Sequence, residues 1–355
     1  AHEWQTCAIP YRTKQKYDSC LVGFLQEYIF GTSIIVLESG AQGKQAWKYT
    51  SDTPGQPADE RREEGYDGFV AKNYRDITKK FYDWVKANPR DEGTPETRIA
   101  MALGNLDGYL GQYGGFTVWS QHDNAETNAA LWKYGAPEGS QAMMEDLFFP
   151  RPPELMAPFR NTWIGGTPYG QVDVMQVDDE STVADLRRYD LLAFGGWNTM
   201  TPHVKDVLER YVRGGGTLVL SRPELTTRID RDFKNYTDKD LLAPFDFLPP
   251  EGKPGEYVEK KFGKGRYFLF TARTFPSEDK VAREAYTGLV DRLARAVEQT
   301  VRIAGVSSDT DSPKAIVYGV YPNKVYFLNA DTVKARTFTY EMKGKKTTLT
   351  LQPCE

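Results

Sequence analysis

The sequence predicts an α/β protein whose last part is a small antiparallel β region. Between residues 98 and 300, short apolar runs alternate with amphipathic segments of helical period, which is typical of a parallel, doubly wound sheet. From about residue 300 the pattern changes to short alternating segments, separated by turns such as Pro322-Asn323. This change indicates that an antiparallel β region follows the α/β part.

Composition limits the class of protein. The chain has 355 residues, so two or three domains are expected. Aromatic residues make up 13% of it, which favours a buried core over disorder. No run approaches the ~18 apolar residues of a membrane span. A net charge of −4 argues against nonspecific binding to nucleic acid. We therefore expect neither a membrane nor a nucleic acid as a partner.

Cysteine and histidine are too few for a disulfide-rich scaffold or a zinc site. Cys7, Cys20 and Cys354 lie near the chain ends, and the three histidines are scattered. We predict no metal and no cofactor. The opening segment, AHEWQTCAIPYR, has no initiator Met and no signal-peptide pattern. We expect that the chain was processed or begins inside a longer polypeptide.

One helix–strand step is predicted at the start of the chain. Residues 17–31 carry apolar side chains at helical spacing, and Gly31 is placed to end that helix. Residues 33–37, SIIVL, form a β-branched run that is typical of a strand buried on both faces, and Glu38 follows it. A second amphipathic helix is predicted over residues 67–87.

A second α/β region follows the polar segment 88–97, which indicates a domain boundary. Its predicted strands are residues 98–103, 116–119, 171–177, 190–194 and 217–221, with a hairpin of residues 256–261 and 265–271. Its predicted helices are residues 181–188, 202–213 and 279–299, and Ser181 and Thr201 are the expected N-caps of the first two. The five short strands predicted after it are residues 301–306, 314–321, 324–329, 335–342 and 346–351.

Glu38 is the first candidate for chemistry. A carboxylate just past the C-terminal end of a buried parallel strand lies where α/β barrels keep their active sites. Its role there could be nucleophile, acid/base or acceptor for a sugar hydroxyl. The alternative is a loop carboxylate that accepts a hydrogen bond from a backbone N–H.

His2, Glu3 and Trp4 form a second candidate cluster. An acid between an imidazole and an indole suits a sugar site, because an indole presents a flat apolar face to the C–H groups of a pyranose. The alternative is an ordinary chain terminus.

Further aromatic and polar residues fall on predicted loops. Loop aromatics can line a ligand groove, or they can pack beneath the loop that carries them. The candidate substrate-binding residues of this kind are Trp47, Tyr49, Trp119 and His122, with Asp123 beside them.

Other chemistries do not fit the sequence. The glycines at 195–196 and 214–216 lack the Gly-x-Gly-x-x-Gly dinucleotide pattern, and the second run follows a helix and precedes a strand. No cysteine lies between Cys20 and Cys354, so the second α/β region has no thiol nucleophile. Ser221 follows a strand but lacks the Gly-x-Ser-x-Gly elbow.

Four segments of the middle region carry a resemblance to a known family. They are RIAMALGNLD at 98–107, YDLLAFGGWNTMT at 189–201, YVRGGGTLVLS at 211–221 and FGKGRYFLFT at 262–271. The region resembles the glutamine-amidotransferase-like domain found behind the catalytic barrel in several glycoside hydrolases, of which the trimeric barrel β-galactosidases are the best-known example. The resemblance implies a domain that has lost amidotransferase activity and serves oligomer contacts, so a homo-oligomer is expected. Residues 324–331 and 347–353 are similar to the small C-terminal β domain of such enzymes.

The same resemblance implies a domain organisation and site residues. Residues 1–92 would be the last part of a (β/α)8 catalytic barrel, residues 93–300 the amidotransferase-like domain, and residues 301–355 the small antiparallel β domain. The cluster at 2–4 would follow a barrel strand, which makes Glu3 a candidate nucleophile. Glu38 would be a substrate-binding residue or the catalytic acid.

Chain length then predicts a partner. A complete barrel needs about 250 residues, and one or two barrel strands alone would leave open edges. We therefore expect a companion chain, or an N-terminal portion, to supply the remaining strands.

The predicted function is a glycoside hydrolase that cleaves an oligo- or polysaccharide with paired carboxylates. The alternatives are a noncatalytic carbohydrate-binding or assembly subunit, and a polysaccharide lyase with a Tyr or His base.

Overall fold

The computed structural model describes residues 2–5, 14–37, 66–91, 93–103, 136–148, 169–195, 200–225, 241–304, 315–331 and 334–355. The chain forms two compact units. The first comprises Ala1–Glu96, Pro150–Gln171 and Thr300–Glu355, and the second comprises Thr97–Phe149 and Val172–Gln299. The protein is a mixed α/β structure with a parallel sheet, as the sequence predicts. Among the described helices, none has the length and apolarity to cross a bilayer.

The first unit opens with a strand–helix–strand step. Strand β1 (His2–Gln5) and strand β2 (Ile34–Leu37) are parallel, and helix α1 (Lys14–Ile29) connects them. Helix α2 (Tyr66–Ala87) follows. The predicted strand at 33–37 and the predicted helix at 67–87 are confirmed, and α1 begins three residues before the predicted start at residue 17.

Helix α1 ends where Gly31 predicts. Gly31 has a φ of +95°, a left-handed conformation that glycine adopts without a Cβ clash. The Thr32 amide donates to the Glu27 carbonyl at 3.0 Å, and the Gly31 amide donates to the Tyr28 carbonyl at 3.1 Å. These two hydrogen bonds define a Schellman motif, which turns the chain out of the helix and toward β2.

The second unit is built on a six-stranded sheet. Its strands are β3 (Ile99–Leu103), β4 (Val172–Gln176), β5 (Leu191–Phe194), β6 (Thr217–Ser221), β7 (Tyr257–Phe262) and β8 (Gly265–Phe270). They lie in the order β4-β3-β5-β6-β8-β7. The first five in that order are parallel, and β7 is antiparallel to β8 through the predicted hairpin.

Within the described part of this unit, four α-helices accompany the sheet: α3 (Ala136–Phe148), α4 (Val183–Leu186), α5 (Pro202–Gly214) and α6 (Lys280–Ala296). Helix α5 is amphipathic, because its buried residues recur at helical spacing on one face: Val204, Val207, Leu208, Tyr211 and Val212. Thr201 caps it through the Val204 amide, as predicted. Helix α3 was not predicted, and the predicted strand at 116–119 lies outside the described residues.

The predicted cap of α4 is wrong by one residue. Thr182, not Ser181, is the N-cap, because the Asp185 carboxylate accepts from the Thr182 amide at 2.8 Å while the Thr182 hydroxyl accepts from the Asp185 amide. This reciprocal pair is a capping box. The Ser181 hydroxyl instead accepts from the Asp178 amide at 3.0 Å, so it closes the preceding turn.

Five antiparallel strands complete the first unit: β9 (Val301–Ala304), β10 (Ile316–Val320), β11 (Val325–Asn329), β12 (Arg336–Met342) and β13 (Lys345–Leu351). Strand β10 pairs with β11, and a second sheet has the order β13-β12-β9. All five predicted strands are confirmed, with ends that differ by at most two residues.

A buried ion pair and an amide hold the end of the chain. Asp331 and Arg336 form a salt bridge with side-chain exposures of 1% and 9%. Asn329 donates to the carbonyls of Leu351 and Gln352, and its own carbonyl oxygen accepts from the Asp331 amide at 3.0 Å. These bonds satisfy polar groups that burial would otherwise leave unpaired.

Removing one member of this buried pair should be costly. We expect Asp331→Ala to lower the free energy of unfolding by about 3–5 kcal/mol, because it leaves the Arg336 guanidinium buried without its counter-charge. Urea denaturation measures the change. Asp83→Ala is the control, since Asp83 belongs to an exposed Lys79–Asp83 pair, and the denaturation midpoint should stay unchanged. Equal midpoints for wild type and Asp331→Ala would contradict this assignment.

Buried tyrosines should make the protein sensitive to alkali. Burial raises the pKa of Tyr211, Tyr286 and Tyr318 above 10.0, and it raises the pKa of Tyr267 to about 12. The unfolded chain therefore loses these phenol protons first as the pH rises. Their contribution is complete below about pH 10 and is lost above it, so the unfolding temperature should fall between pH 10 and 12. Tyr286→Phe should flatten that fall, and an identical slope in the variant would count against this account.

Candidate functional site

The carboxyl edge of the β1–β2 pair is the first candidate site. Parallel strands end at the same edge, and β2 reaches that edge at Leu37, directly before Glu38 in the sequence. In the backbone register, Glu3 is the partner of Ile35. Glu3 is therefore level with a residue two positions before the end of β2.

Three of the predicted site residues lie in the described part of the chain. His2, Glu3 and Trp4 lie within β1 itself, whereas the family resemblance put them after a strand. The reason is that residues His2 through Gln5 pair with β2 along their backbone. The other predicted site residues lie outside the described residues: Glu38, Trp47, Tyr49, Trp119 and His122.

The second unit has its own candidate position, where β3 lies between β4 and β5. Doubly wound sheets bind ligands at such a reversal of strand order, outside the carboxyl ends of the strands. Here Gly195 follows β5, and a Cβ on it would lie 2.8 Å from Cγ of Met144 and 3.2 Å from Cε of Met101. Helix α3 thus brings buried Met144 against the strand end. Among the described residues, this position holds apolar packing rather than a polar cradle.

Charged side chains are also buried after β6, but they bond to backbone. The Glu224 carboxylate accepts from the Ser221 amide at 2.6 Å, and Nη1 of Arg222 donates to the Pro249 carbonyl at 2.8 Å. Tyr286 donates to the Phe194 carbonyl at the end of β5. Burial raises the Tyr286 pKa, and the negative charge of Glu224 adds to this effect. These hydrogen bonds connect the turn after β6 to Pro249, and helix α6 to the end of β5.

Sequence reasoning missed this buried group. The sequence SRPEL carries a usable signal for the group, because it places two charged residues after an apolar strand. The test for a nucleophile elbow at Ser221 does not detect it. Within the described ranges there is no group of three or more His, Cys, Asp or Glu residues that could hold a metal ion.

Comparison with solved structures finds similarity to β-galactosidases of known structure. The chain is similar to Gan42B, a GH42 β-galactosidase from G. stearothermophilus, with 14% identity, a TM-score of 0.45, and coverage of 99% of this chain and 52% of that one. It is similar to a β-galactosidase from Rahnella sp. R3, with 11% identity, a TM-score of 0.44, and coverage of 99% and 52%. A β-galactosidase from Bacillus circulans sp. alkalophilus matches with 14% identity, a TM-score of 0.40, and coverage of 80% and 44%.

The chain spans about half the length of these structures. No protein-family model matches the sequence. No curated protein matches it either.

Substitution of Gly195 tests whether the Met144 side chain fills the space beside it. Gly195→Ala should lower the free energy of unfolding by about 1–3 kcal/mol, because the new methyl group overlaps the Met144 side chain. Adding Met144→Ala should recover part of that cost, with a coupling energy of about 0.5–3 kcal/mol in a double-mutant cycle measured by urea denaturation. Strictly additive effects would show that Met144 does not fill the space beside Gly195.

Proposed function

We propose that this chain is the C-terminal part of a glycoside hydrolase. In this proposal β1, α1 and β2 are the last steps of a (β/α)8 barrel, the second unit is an amidotransferase-like domain, and residues 301–355 are the small β domain. The observation that carries the proposal is the parallel β1–α1–β2 step, which is the repeating unit of such a barrel. The family resemblance of residues 98–271 supports it.

The candidate chemistry is hydrolysis by paired carboxylates. Glu38 fits the barrel rule better than Glu3, because it comes directly after its strand, whereas Glu3 lies inside β1. Retaining enzymes hold their two carboxyl groups about 5–5.5 Å apart, and inverting enzymes about 6.5–9.5 Å apart. Because Glu3 lies inside β1 rather than after a strand, we propose that Glu38 works with a carboxylate from another barrel strand.

The proposal also includes the rest of the barrel. In the described residues β1 and β2 form a sheet of only two strands, whose outer edges would pair with the missing strands. A companion chain or an N-terminal portion would supply them, and the second unit would serve contacts between copies. The substrate would be an oligo- or polysaccharide, held in part by the aromatic residues Trp4, Trp47, Tyr49 and Trp119.

Replacement of the candidate carboxylates tests the assignment. In the assembled protein, Glu38→Gln should lower kcat by about 10²–10⁴-fold, because an amide can neither donate a proton nor act as a base or nucleophile. Glu3→Gln should have a smaller effect. Asp76→Asn, on the exposed face of α2, is the matched control and should leave turnover unchanged. Release of reducing sugar measures the rates, and circular dichroism checks the fold.

The outcomes separate the competing functions. Unchanged rates in both Glu variants would sink the site assignment. Full activity of a companion chain in the absence of this one would favour a binding or assembly subunit instead. An unsaturated uronate among the products would identify a polysaccharide lyase.

A further inference from the structure

The C-terminal end of α1 is closed by side chains from distant parts of the first unit. A helix leaves its last four carbonyl groups without partners in the helix, and these need other donors when buried. The Schellman motif at Gly31 provides donors for Glu27 and Tyr28. The next two carbonyls are reached from elsewhere. The Tyr321 hydroxyl donates to the Ile29 carbonyl at 3.1 Å, and Nε2 of Gln171 donates to the Phe30 carbonyl at 3.1 Å.

Strand β10 also approaches the helix end at backbone distance. A Cβ on Gly319 would lie 2.6 Å from the Ile29 carbonyl oxygen and 2.8 Å from its Cγ2 atom. Such distances are shorter than real Cβ contacts, so the absence of a side chain at Gly319 lets β10 lie directly against α1. Ile29 is buried in one cluster with Val317 and Tyr321.

Arg90 supplies the charge that this helix end lacks. Helix α1 has no basic residue in its last turn, although a positive charge there stabilises a helix. Nη1 of Arg90 donates to the Tyr28 carbonyl at 2.7 Å, and its guanidinium lies 4.3 Å from the centre of the Tyr28 ring. The Arg90 amide donates to the Tyr28 hydroxyl at 2.8 Å, which fixes the segment after α2 against the same turn.

These contacts act on the short connection to β2. Only residues 30–33 separate the end of α1 from Ile34, so a fixed helix end leaves little freedom in where β2 begins. We infer that Tyr321, Gly319 and Arg90 are positioning residues for β2 and for the carboxylate that follows it. The last strands of the chain would thus contribute to the geometry of the candidate site. The part concerning the carboxylate rests on the proposed function.

Removal of one hydroxyl tests the inference. Tyr321→Phe deletes the donor to Ile29 and keeps the ring, and Tyr340→Phe is a matched deletion on β12. Hydrogen exchange of a peptide covering residues 30–37, followed by mass spectrometry on the assembled protein, reports local opening. We expect about 10-fold faster exchange there in Tyr321→Phe, and wild-type exchange in Tyr340→Phe. Arg90→Ala, which removes the charge and the hydrogen bond to the Tyr28 carbonyl, should have the same effect.

Steady-state kinetics tests the second half of the inference. Tyr321→Phe should lower kcat by about 10-fold with little change in KM, because a displaced carboxylate reduces productive geometry more than binding. A merely structural role would lower the amount of folded protein and leave kcat per folded molecule unchanged.

Each result decides one claim. Wild-type exchange in both Tyr321→Phe and Arg90→Ala would overturn the closure of the helix end. Faster exchange with a wild-type kcat would overturn the positioning of the carboxylate. If the wild-type assembly hydrolyses no glycoside, the proposed function fails, whereas the exchange data still decide whether β10 positions β2.

Discussion

A pair of parallel strands cannot be stable by itself in water, and this constraint governs the first unit. Two strands bury too little surface, and parallel pairing needs cover on the faces of the sheet. Helix α1 supplies the crossover between β1 and β2. Its buried residues Val22, Leu25 and Ile29 join a cluster with Val317 and Leu328 of the last strands. The opening segment therefore depends on residues from the far end of the sequence.

The second unit meets the edge problem of an open sheet differently. At one edge, β7 is antiparallel to β8 and carries exposed charges at Glu259, Lys260 and Lys261. Charged side chains on an edge strand discourage pairing with other chains. In the middle of the sheet, α3 packs Met144 against Gly195, where related architectures leave a ligand crevice.

The candidate site could be predicted in part. The run SIIVL indicated a buried strand and thus the position of Glu38 after it, because a β-branched apolar run has few other uses in an α/β chain. The register of Glu3 against Ile35 could not be predicted, since it depends on how β1 slides along β2. That register sets Glu3 level with Ile35, inside the strand pair.

The sequence by itself determined the features that depend on neighbours a few positions away. Helical and strand periods located most elements, Gly31 ended α1, and Thr201 capped α5, because caps and turns use local hydrogen bonds. The N-cap of α4 is Thr182 rather than the predicted Ser181, because Thr182 forms the reciprocal pair of hydrogen bonds with Asp185. Tertiary structure alone decided which groups close the end of α1. Tyr321 lies 292 residues from Ile29 in the sequence, and no local pattern records a hydrogen bond over that separation.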